Sequence, residues 1–344
     1  MARIVVFYNT DYDAEQATLT GPDVTSVRDS AKAIAGALVE TNHTVELMGV
    51  HGVEVYAALE KVRAWKPDLL FNLCESMDNN SLNEPTFAGL LDLFSIPYTG
   101  ADLLALASCL HKQRTKDILI AHDVPTPPYC YLATLADLDD PKLDALDYPW
   151  FVKLAHEDAS LGITEANVVG SAAALRQRSR ELMTEYHQAV IAERYVEGRE
   201  INVTLLGNGA AVETLPLHEI DFAAMPAERP RIVSYAAKWE ESHVDYAGTK
   251  PVPLRGATAA VIADIESVAR AAYRAVELRD YGRVDLRVDA AGVPWVIDVN
   301  PNPDISPDAG VTRAAAAAGL SYPQLVDRIA HIAMSRLARG PVGS

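Results

Sequence analysis

The sequence Arg283-Val-Asp-Leu-Arg-Val-Asp-Ala-Ala-Gly-Val-Pro-Trp-Val-Ile-Asp-Val-Asn300 decides how the rest of the chain is interpreted. Apolar and polar residues alternate on both sides of a glycine-containing break at 290–293, which is typical of a β-hairpin. If the turn is symmetric and has no bulge, three polar-side pairs face each other across the hairpin: Asp285 with Asp298, Arg283 with Asn300, and Arg287 with Val296.

The alternation also predicts two faces, because successive side chains of a strand point to opposite sides. One face is apolar and consists of Val284, Leu286, Val288, Trp295, Ile297 and Val299. The other is polar and carries Arg283, Asp285, Arg287, Asp298 and Asn300. Two carboxylates facing each other at roughly 5 Å repel, and a bound hard cation such as Mg²⁺, which takes oxygen ligands, would explain them. An ordinary hairpin with one face in water explains them equally well.

Length and charge narrow the class of protein. A chain of 344 residues exceeds the size at which one core usually keeps growing, so two or three subdomains are expected. The net charge of −17 argues against nucleic acid and anionic membranes as partners, although a local pocket can still bind a small anion. Cys74, Cys109 and Cys130 lack metal-ligand spacing, which is typical of reduced thiols in a cytoplasmic protein.

The order of the predicted elements divides the chain into three parts. Residues 1–97 alternate strand and helix as βαβαβ, which predicts a parallel sheet with helices on its faces. Residues 98–187 form a central part and residues 188–344 a C-terminal part, so the fold class is α/β, with α+β character in the C-terminal half. The C-terminal part contains the hairpin and a non-periodic, charge-rich segment at 220–249, which is typical of a functional lid. No G-x-G-x-x-G or Walker sequence follows a strand, so neither usual nucleotide motif is expected.

Three lysines stand out in a chain that is short of positive charge. Lys112 starts a predicted helix, Lys153 ends a predicted strand before a loop of small residues, and Lys238 lies in the predicted lid. Each alone is most simply a surface cation. Together they offer the fixed positive charge that a triphosphate needs in addition to metal, and backbone N–H groups of the loop after Lys153, with Ser160, would cover the phosphates.

The stretch Ile191-Ala-Glu-Arg-Tyr-Val-Glu-Gly-Arg-Glu200 joins two predicted strands. Glu193 and Val196 lie where the first strand ends, and Glu200 opens the second. Such a linker can offer backbone groups to an adenine edge and a carboxylate to ribose hydroxyls. A plain charged loop has the same sequence pattern.

These stretches together resemble the ATP-grasp superfamily and, within it, the D-alanine–D-alanine ligase branch. The matching motifs occur in family order over most of the chain: Phe71-Asn-Leu-Cys-Glu75, Ile96-Pro-Tyr-Thr-Gly100, Lys112-Gln-Arg-Thr-Lys116, Val124-Pro-Thr-Pro127, Phe151-Val-Lys153 with Ser160–Gly162, Glu193 to Glu200, Arg283-Val-Asp285 and Asp298-Val-Asn-Pro-Asn-Pro303. The resemblance implies an N-terminal preATP-grasp domain followed by an ATP-grasp fold, with small-molecule substrates and a possible homodimer.

The resemblance also implies a reaction. The carboxylate of one substrate, an amino acid or a related acid, would attack the γ-phosphate of ATP, and an amine would then attack the acyl phosphate, releasing ADP and phosphate. Three alternatives stay open: a cell-wall D-alanine–D-alanine ligase, a kinase-like enzyme that stops at phosphoryl transfer, and a nucleotide-binding module without turnover.

The resemblance assigns roles to individual residues. The residues implied to bind ATP are Lys112, Lys153, Ser160 and Lys238 at the phosphates and Glu193, Val196 and Glu200 at the adenosine. The residues implied to hold two Mg²⁺ ions, which Mn²⁺ can replace, are Asp285, Asp298 and Asn300. Arg283, Lys238 and Ser160 are the implied catalytic residues, with Arg283 stabilising the acyl phosphate and the oxyanion that follows. The candidates for substrate contact are Glu75, Asn302 and Asp304.

Several positions depart from the family pattern. Asp298 replaces the usual glutamate, Trp239 follows the lid lysine where D-alanyl ligases have tyrosine, and Glu75 replaces a histidine. The segment from Asn9 to Ser30 has no clear match to the family's glycine-rich opening, and Pro301-Asn-Pro-Asp304 replaces a tail of small residues. We therefore expect the nucleotide chemistry of the family with a changed acceptor. Glu75 would pair with a substrate ammonium or, equally, cap a helix.

Overall fold

A parallel sheet and two antiparallel sheets follow one another along the chain. The structure, a computed structural model, describes residues 1–10, 25–78, 80–157 and 160–338. Within these residues, every helix is too short or too polar to cross a bilayer.

The N-terminal part has the predicted βαβαβ order. Its elements are β1 (Arg3–Asn9), α1 (Thr25–Glu40), β2 (Thr44–Val50), α2 (Val55–Trp65), β3 (Leu69–Leu73) and α3 (Glu84–Leu93). β1 lies between β2 and β3 and pairs in parallel with both, which confirms the predicted parallel sheet. Both faces of β1 are covered, because Val5 and Phe7 belong to one hydrophobic core and Ile4 and Val6 to another, as expected for a parallel sheet.

The carboxyl ends of β1 and β3 meet at one edge of this sheet, where parallel sheets usually bind ligands. There Asn9 Nδ2 donates to Ser76 Oγ (2.9 Å), and Asn9 Oδ1 accepts from the backbone N–H of Glu75 (3.2 Å). The loop predicted after β1 falls mostly in residues 11–24, which lie outside the described residues.

Among its described residues, the central part contains one antiparallel sheet and three α-helices. Its elements are α4 (Leu103–Leu110), α5 (Lys112–Ala121), β4 (Tyr129–Leu132), β5 (Trp150–Leu154), β6 (Val168–Val169), α6 (Ala172–Tyr186) and β7 (Val190–Arg194), with strand order β4-β7-β5-β6. The sequence predicts one helix over 103–121, but the backbone is extended at His111 (φ −98°, ψ 92°), so Lys112 begins a separate helix. β7 lies beyond residue 187, and its pairing would put the division between the two parts after Arg194. The domain bounds stay a prediction.

The C-terminal part has a second antiparallel sheet, whose main path is β11-β10-β8-β12-β13 with β9 beside β8. Its elements are β8 (Arg199–Leu206), β9 (Glu213–Thr214), β10 (His218–Asp221), α7 (Tyr235–Trp239), α8 (Val244–Gly248), β11 (Lys250–Pro253), α9 (Ala259–Ala275), β12 (Tyr281–Val288), β13 (Pro294–Asn300), α10 (Gly310–Ala317) and α11 (Tyr322–Ala338). The predicted lid, residues 220–249 and called the lid segment below, contains α7 and α8. α11 returns to the N-terminal sheet, since its apolar stripe, including Leu325 and Ile329, packs with Ile4 and Val6.

The hairpin β12–β13 has a β-bulge that the predicted pairing lacks. The observed pairs are Arg283 with Asn300, Asp285 with Asp298, Leu286 with Val296, and Arg287 with Trp295. The first two confirm the prediction, and the predicted pairing of Arg287 with Val296 is wrong. β13 has one extra residue, Ile297, between the second and third pairs, and an assumed symmetric turn cannot account for such an insertion.

The bulge changes which side chains of β13 reach the core. Val296 is 1% exposed and packs in the core, beside Val284 and Leu286. Trp295 and Ile297, predicted for the apolar face, are only partly buried, because the extra residue turns this part of the strand over. The remaining predicted members of the apolar face, including Val288 and Val299, are buried as expected.

Candidate active site

A cavity of about 360 Å³ is bounded by the central sheet, the C-terminal sheet and the lid segment. Every residue that the sequence analysis assigns to phosphate, adenosine, metal or catalysis lines it: Lys112, Lys153, Ser160, Glu193, Val196, Glu200, Lys238, Arg283, Asp285, Asp298 and Asn300. The three substrate candidates are not among the residues that line this cavity. The fold therefore brings the predicted ATP, metal and catalytic residues into one cavity, while the predicted substrate residues lie outside its lining.

Helix α4 ends before His111, and the turn there places Lys112 close to the segment that follows Lys153. The backbone N–H of Lys112, at the start of α5, donates to the carbonyl of Ala155 (3.1 Å), which directly follows β5. Beside it, His111 Nδ1 and His156 Nδ1 lie 2.9 Å apart. The start of α5 and the loop after Lys153 are thus bonded to each other, although Asp158 and Ala159 of that loop lie outside the described residues.

Asp285 has several partners on the polar face of the hairpin. Arg283 donates through Nε to Oδ1 (2.8 Å) and through Nη2 to Oδ2 (2.9 Å). Asn202 Nδ2 donates to Oδ1 (2.7 Å), and Asn300 Nδ2 to Oδ2 (3.1 Å). Asn202, which faces Asp285 across β8 and β12, is a site residue that the sequence did not predict. Its position two residues after Glu200, on the same face of a strand, was the available signal.

Asp298 points towards the lysines of the cavity. Its Oδ1 lies 4.0 Å from Nζ of Lys112, and its side chain is 30% exposed. Burial alone would raise the pKa of Asp298, but Lys112, Lys153, Arg283 and Lys238 outweigh burial and hold this pKa below its usual value. The carboxylate is therefore ionised at neutral pH and presents oxygen to the cavity.

The donor set fits a hard divalent cation. Asp285, Asp298 and Asn300 supply carboxylate and amide oxygens, and Mg²⁺ is usually held by one or two carboxylates together with water and substrate phosphates. Both oxygens of Asp285 accept N–H groups here, so ligation by Asp285 requires it to exchange at least one of these bonds, whereas Asp298 is placed to bind a cation directly.

Glu193 has partners other than those predicted. Its side chain is buried, with Oε2 2.7 Å from Nζ of Lys116 and Oε1 2.9 Å from Nζ of Lys153. Burial would raise the pKa of Glu193, but the two ammonium groups outweigh it and hold the pKa low. The contact of Glu193 with adenosine stays a prediction. Lys116, which is predicted from sequence only as part of a motif, proves to be buried and to share Glu193 with Lys153.

Glu200 is paired at the predicted adenosine end of the cavity. Its Oε2 accepts from Nη2 of Arg287 (2.8 Å), and the guanidinium of Arg287 lies over the rings of Tyr195 (5.4 Å) and Phe222 (5.6 Å). Arg287 also donates to the carbonyl of Arg231. Arg287, for which the sequence predicts no role, thus joins Glu200 to the lid segment.

The lid segment is bonded to the loop that follows β5. The backbone N–H of Tyr235, at the start of α7, donates to Ile163 O (2.9 Å), and Arg229 pairs with Glu165 (3.3 Å). These contacts hold Lys238, three residues into α7, at the cavity. There, dehydration and Arg283 lower the pKa of Lys238, while nearby carboxylates oppose them.

The three substrate candidates have protein partners. Asn302 Oδ1 accepts from Ala101 N (3.0 Å) and its Nδ2 donates to Glu84 (3.3 Å), so it ties the N-terminal part to the hairpin. Asp304 accepts from the backbone N–H and the hydroxyl of Ser306 (2.8 and 2.9 Å). Glu75, Glu84 and Asp304 lie close enough to the buried Tyr281 for their charges to raise its pKa, after burial itself. The sequence analysis also missed Arg313, an exposed residue that lines the cavity.

Comparison with known proteins identifies the family. Residues 118–331 match the family model described as D-ala D-ala ligase C-terminus. The D-alanine–D-alanine ligase of Chromohalobacter salexigens is 33% identical over 302 residues, which cover 87% of each chain. An uncharacterized protein of Sinorhizobium fredii, y4sG, is 31% identical over 312 residues, covering 89% of this chain and 88% of the relative.

Solved structures share the fold. The D-alanine–D-alanine ligase of Bacillus anthracis in complex with ATP superposes with a TM-score of 0.77 at 21% identity, covering 99% of this chain and 100% of that one. The ligase of Coxiella burnetii gives a TM-score of 0.72 at 18% identity, with 98% and 95% covered. The resemblance and the fold class inferred from the sequence are thus confirmed. The chain belongs to the D-alanine–D-alanine ligase-like branch of the ATP-grasp superfamily, whose members are ATP-dependent carbon–nitrogen ligases.

Proposed function

We propose that this protein is an ATP- and Mg²⁺-dependent ligase that joins the carboxylate of an amino acid, or of a related acid, to an amine. One observation carries the proposal: Lys112, Lys153, Lys238 and Arg283 line a single cavity together with the ionised Asp298. They are four of the seven basic side chains that line this cavity against five carboxylates, and this local excess of positive charge, in a chain of net charge −17, favours a polyanionic ligand. A carboxylate among them favours a metal ion bound with that ligand.

The proposed reaction has two steps. A carboxylate oxygen of the first substrate attacks the γ-phosphorus of ATP, the bond to ADP breaks, and an acyl phosphate forms. The amine of the second substrate then attacks the carbonyl carbon, phosphate leaves from the tetrahedral intermediate, and the amine loses a proton to solvent. No protein nucleophile is required, so the residues of the cavity act by position and charge.

The residues divide these tasks between them. Lys112 and Lys153 bind phosphate oxygens from the central part, and Lys238 binds them from the lid segment. Arg283 stabilises the oxyanion, and it stays charged because, although burial lowers its pKa, Asp285, Asp298 and Asp304 together raise that pKa above its usual value. Mg²⁺, held by Asp285, Asp298 and Asn300, would neutralise the β- and γ-phosphate oxygens when bound.

The test is to incubate the protein with ATP, Mg²⁺ and a library of D- and L-amino acids and to measure ADP, AMP and condensed products. ADP with an amide or dipeptide supports the proposal. ADP with a phosphorylated acid or alcohol as the final product would indicate a kinase, AMP would contradict the scheme, and tight ATP binding without hydrolysis would indicate a binding module. The Asp298→Ala variant serves as the control for contaminating enzymes.

A second candidate is a cell-wall D-alanine–D-alanine ligase, favoured by the similarity to a relative of that name over 87% of the chain. An assay with D-alanine as the sole amino acid distinguishes this candidate from a ligase with other substrates. Formation of D-alanyl-D-alanine at the highest rate in the library would establish this narrower function. A faster reaction with a mixed pair of substrates would assign the protein another product.

A homodimer, which the family implies, is checked by light scattering after gel filtration.

A further inference from the structure

The β-bulge at Ile297 comes immediately before Asp298 and depends on groups outside the hairpin. A bulge leaves backbone groups unpaired within the ladder, and buried backbone groups need partners. Here the N–H of Val296 donates to Pro125 O (2.8 Å), and the carbonyl of Val296 accepts from Thr126 Oγ1 (2.8 Å). The carbonyl of Ile297 accepts from Nζ of Lys153 (3.1 Å). Three bonds from two other segments therefore fix the bulge.

Thr126 connects the bulge to buried charges. Its hydroxyl has a single proton, and because Lys116 Nζ already donates to Oγ1 (2.8 Å), that proton is directed at Val296 O. Lys116 also pairs with Glu193 (2.7 Å), and Glu193 with Lys153 (2.9 Å), which returns to the bulge. The connections close on themselves. We call this set the bulge ring: Thr126, Lys116, Glu193, Lys153 and the carbonyls of Val296 and Ile297.

The bulge ring is buried and contains two lysines and one glutamate. All four of its side chains are buried, and at low dielectric each bond is strong and each lost partner is costly. Burial lowers the pKa of Lys116, and the charge of the facing Glu193 opposes this shift. Among the described residues the ring uses two of the three N–H donors of Lys153, and since Lys153 lines the cavity, the third donor is left for an anion there.

We infer that Thr126 and Lys116 are positioning residues that hold the metal carboxylate Asp298 and the phosphate cation Lys153 at a fixed spacing. This inference rests on the proposed function, in which both groups act on one metal–nucleotide complex. Thr126 and Lys116 act through other residues, because neither lines the cavity. The bulge ring reaches Asp298 through the backbone of β13 and reaches Lys153 through Glu193.

The test compares Thr126→Val with Thr126→Ser. Valine keeps the volume of threonine but cannot donate to Val296 O or accept from Lys116, whereas serine keeps both bonds. Thr115→Val is the matched control: Thr115 precedes Lys116 in the chain and is also buried, but its hydroxyl donates to the carbonyl of Ser108 (2.9 Å), which does not belong to the bulge ring. For each protein, the electron paramagnetic resonance signal of free Mn²⁺ measures Mn²⁺ binding in the presence of ADP. Calorimetry in EDTA measures ADP binding alone, and thermal unfolding measures stability.

Thr126→Val is expected to raise the Mn²⁺ dissociation constant at least about tenfold, the size seen when groups that orient metal ligands are removed. Thr126→Ser should restore binding, and Thr115→Val should lower stability without weakening Mn²⁺ binding. A folded Thr126→Val protein that binds Mn²⁺ like the wild type would overturn the inference, as would an equal loss in Thr115→Val. If Thr126→Val does not fold, Thr126→Cys, which has only a weak donor, takes its place with the same two decisive outcomes.

The same measurement separates the inference from the proposed function. If the wild-type protein with ADP binds no Mn²⁺, the proposed metal site is contradicted, and the inference falls with it. If the wild type binds Mn²⁺ and Thr126→Val binds it equally well, only the role of the bulge ring is contradicted.

Discussion

The two ends of the candidate active site are built differently. At the phosphate end, Lys153 and Asp298 are set by a buried, closed set of bonds drawn from α5, β7 and the segment after α5. At the other end, which we propose binds the acceptor, the substrate candidates Asn302 and Asp304 bond to protein groups beside the cavity, and the lining residue Arg313 is exposed. A triphosphate with metal demands fixed charges, whereas the choice of acceptor depends on loop residues that can change without disturbing them. We therefore expect nucleotide chemistry and acceptor identity to be separable in this molecule.

Asp298→Ala tests the phosphate end with the largest expected effect. Removing this carboxylate should lower Mg²⁺-dependent ADP formation at least about 1,000-fold, since metal charge stabilisation is worth several kcal/mol and each 1.4 kcal/mol is tenfold. The matched control is Asp289→Ala in the same hairpin, because Asp289 accepts from Val293 N (2.9 Å) and Trp295 Nε1 (3.0 Å) at the turn. The control should lose stability and keep turnover. An active Asp298→Ala enzyme would refute the metal role.

Glu193→Gln should cost about 3–5 kcal/mol of unfolding free energy, because it leaves two buried ammonium groups without their shared carboxylate. Denaturant unfolding measures this. The control is Glu181→Gln, an exposed partner of Arg178 on α6, which should be neutral. No measurable loss in Glu193→Gln would mean that the lysines are hydrated or already neutral.

The pH dependence of the same pair of proteins gives an independent check. Lys116 and Lys153 hold the pKa of Glu193 below its usual value. Its charge therefore stabilises the folded state above the ordinary glutamate pKa, and this stabilisation is lost as the pH falls towards the depressed value. The stability gap between wild type and Glu193→Gln should narrow on acidification, and a gap that widens would contradict the ion pairing.

Glu75→Gln tests the acceptor end. If Glu75 binds a substrate ammonium, the KM for the amino substrate should rise about tenfold or more, since a hydrogen bond to a charged group is worth about 1.5–3 kcal/mol. The KM for ATP should not change. Glu84→Gln is the control, because Glu84, like Glu75, lies near Tyr281 but accepts a hydrogen bond from Asn302. Equal effects of Glu75→Gln on both KM values would make Glu75 structural.

His156→Gln is expected to have the smallest effect. The bond between His111 and His156 needs one imidazole to donate and the other to accept. Burial lowers the pKa of both histidines. The charge of Arg114 lowers the pKa of His111 further, and His111, Lys112 and Arg114 lower that of His156 further. Protonation below the ordinary histidine pKa breaks this bond, so ATP affinity of the wild type should fall about two- to tenfold on acidification, for a bond of about 0.5–1.5 kcal/mol. His156→Gln should lack this dependence, and the exposed His122→Gln should retain it.

The sequence predicted local features well. Alternation along the hairpin paired Asp285 with Asp298 correctly, and the strand–helix order gave the parallel sheet. The bulge at Ile297 was missed because its cause lies outside the hairpin, in Thr126 and Lys153, about 170 and 144 residues away. A residue count across a turn cannot include such distant bonds.

The candidate site shows the same difference between features that depend on local sequence and features that depend on distant contacts. Lys153 and Asp298, which line the cavity, could be selected from the sequence because both fall in motifs, and their roles stay predictions. Lys116, Asn202 and Arg287 were missed because their importance comes from partners on other strands, which only the folded chain brings within about 3 Å of one another. The acceptor end could be predicted least, since its loops follow neither motif nor period.

A crystal structure with ADP and Mn²⁺ tests the central claim most directly, because the anomalous signal of manganese locates the ion independently of any model of the site. The account predicts manganese between Asp285, Asp298 and Asn300, with the phosphates beside Lys112 and Lys153. Manganese absent from β12 and β13, with the adenine bound elsewhere, would contradict it.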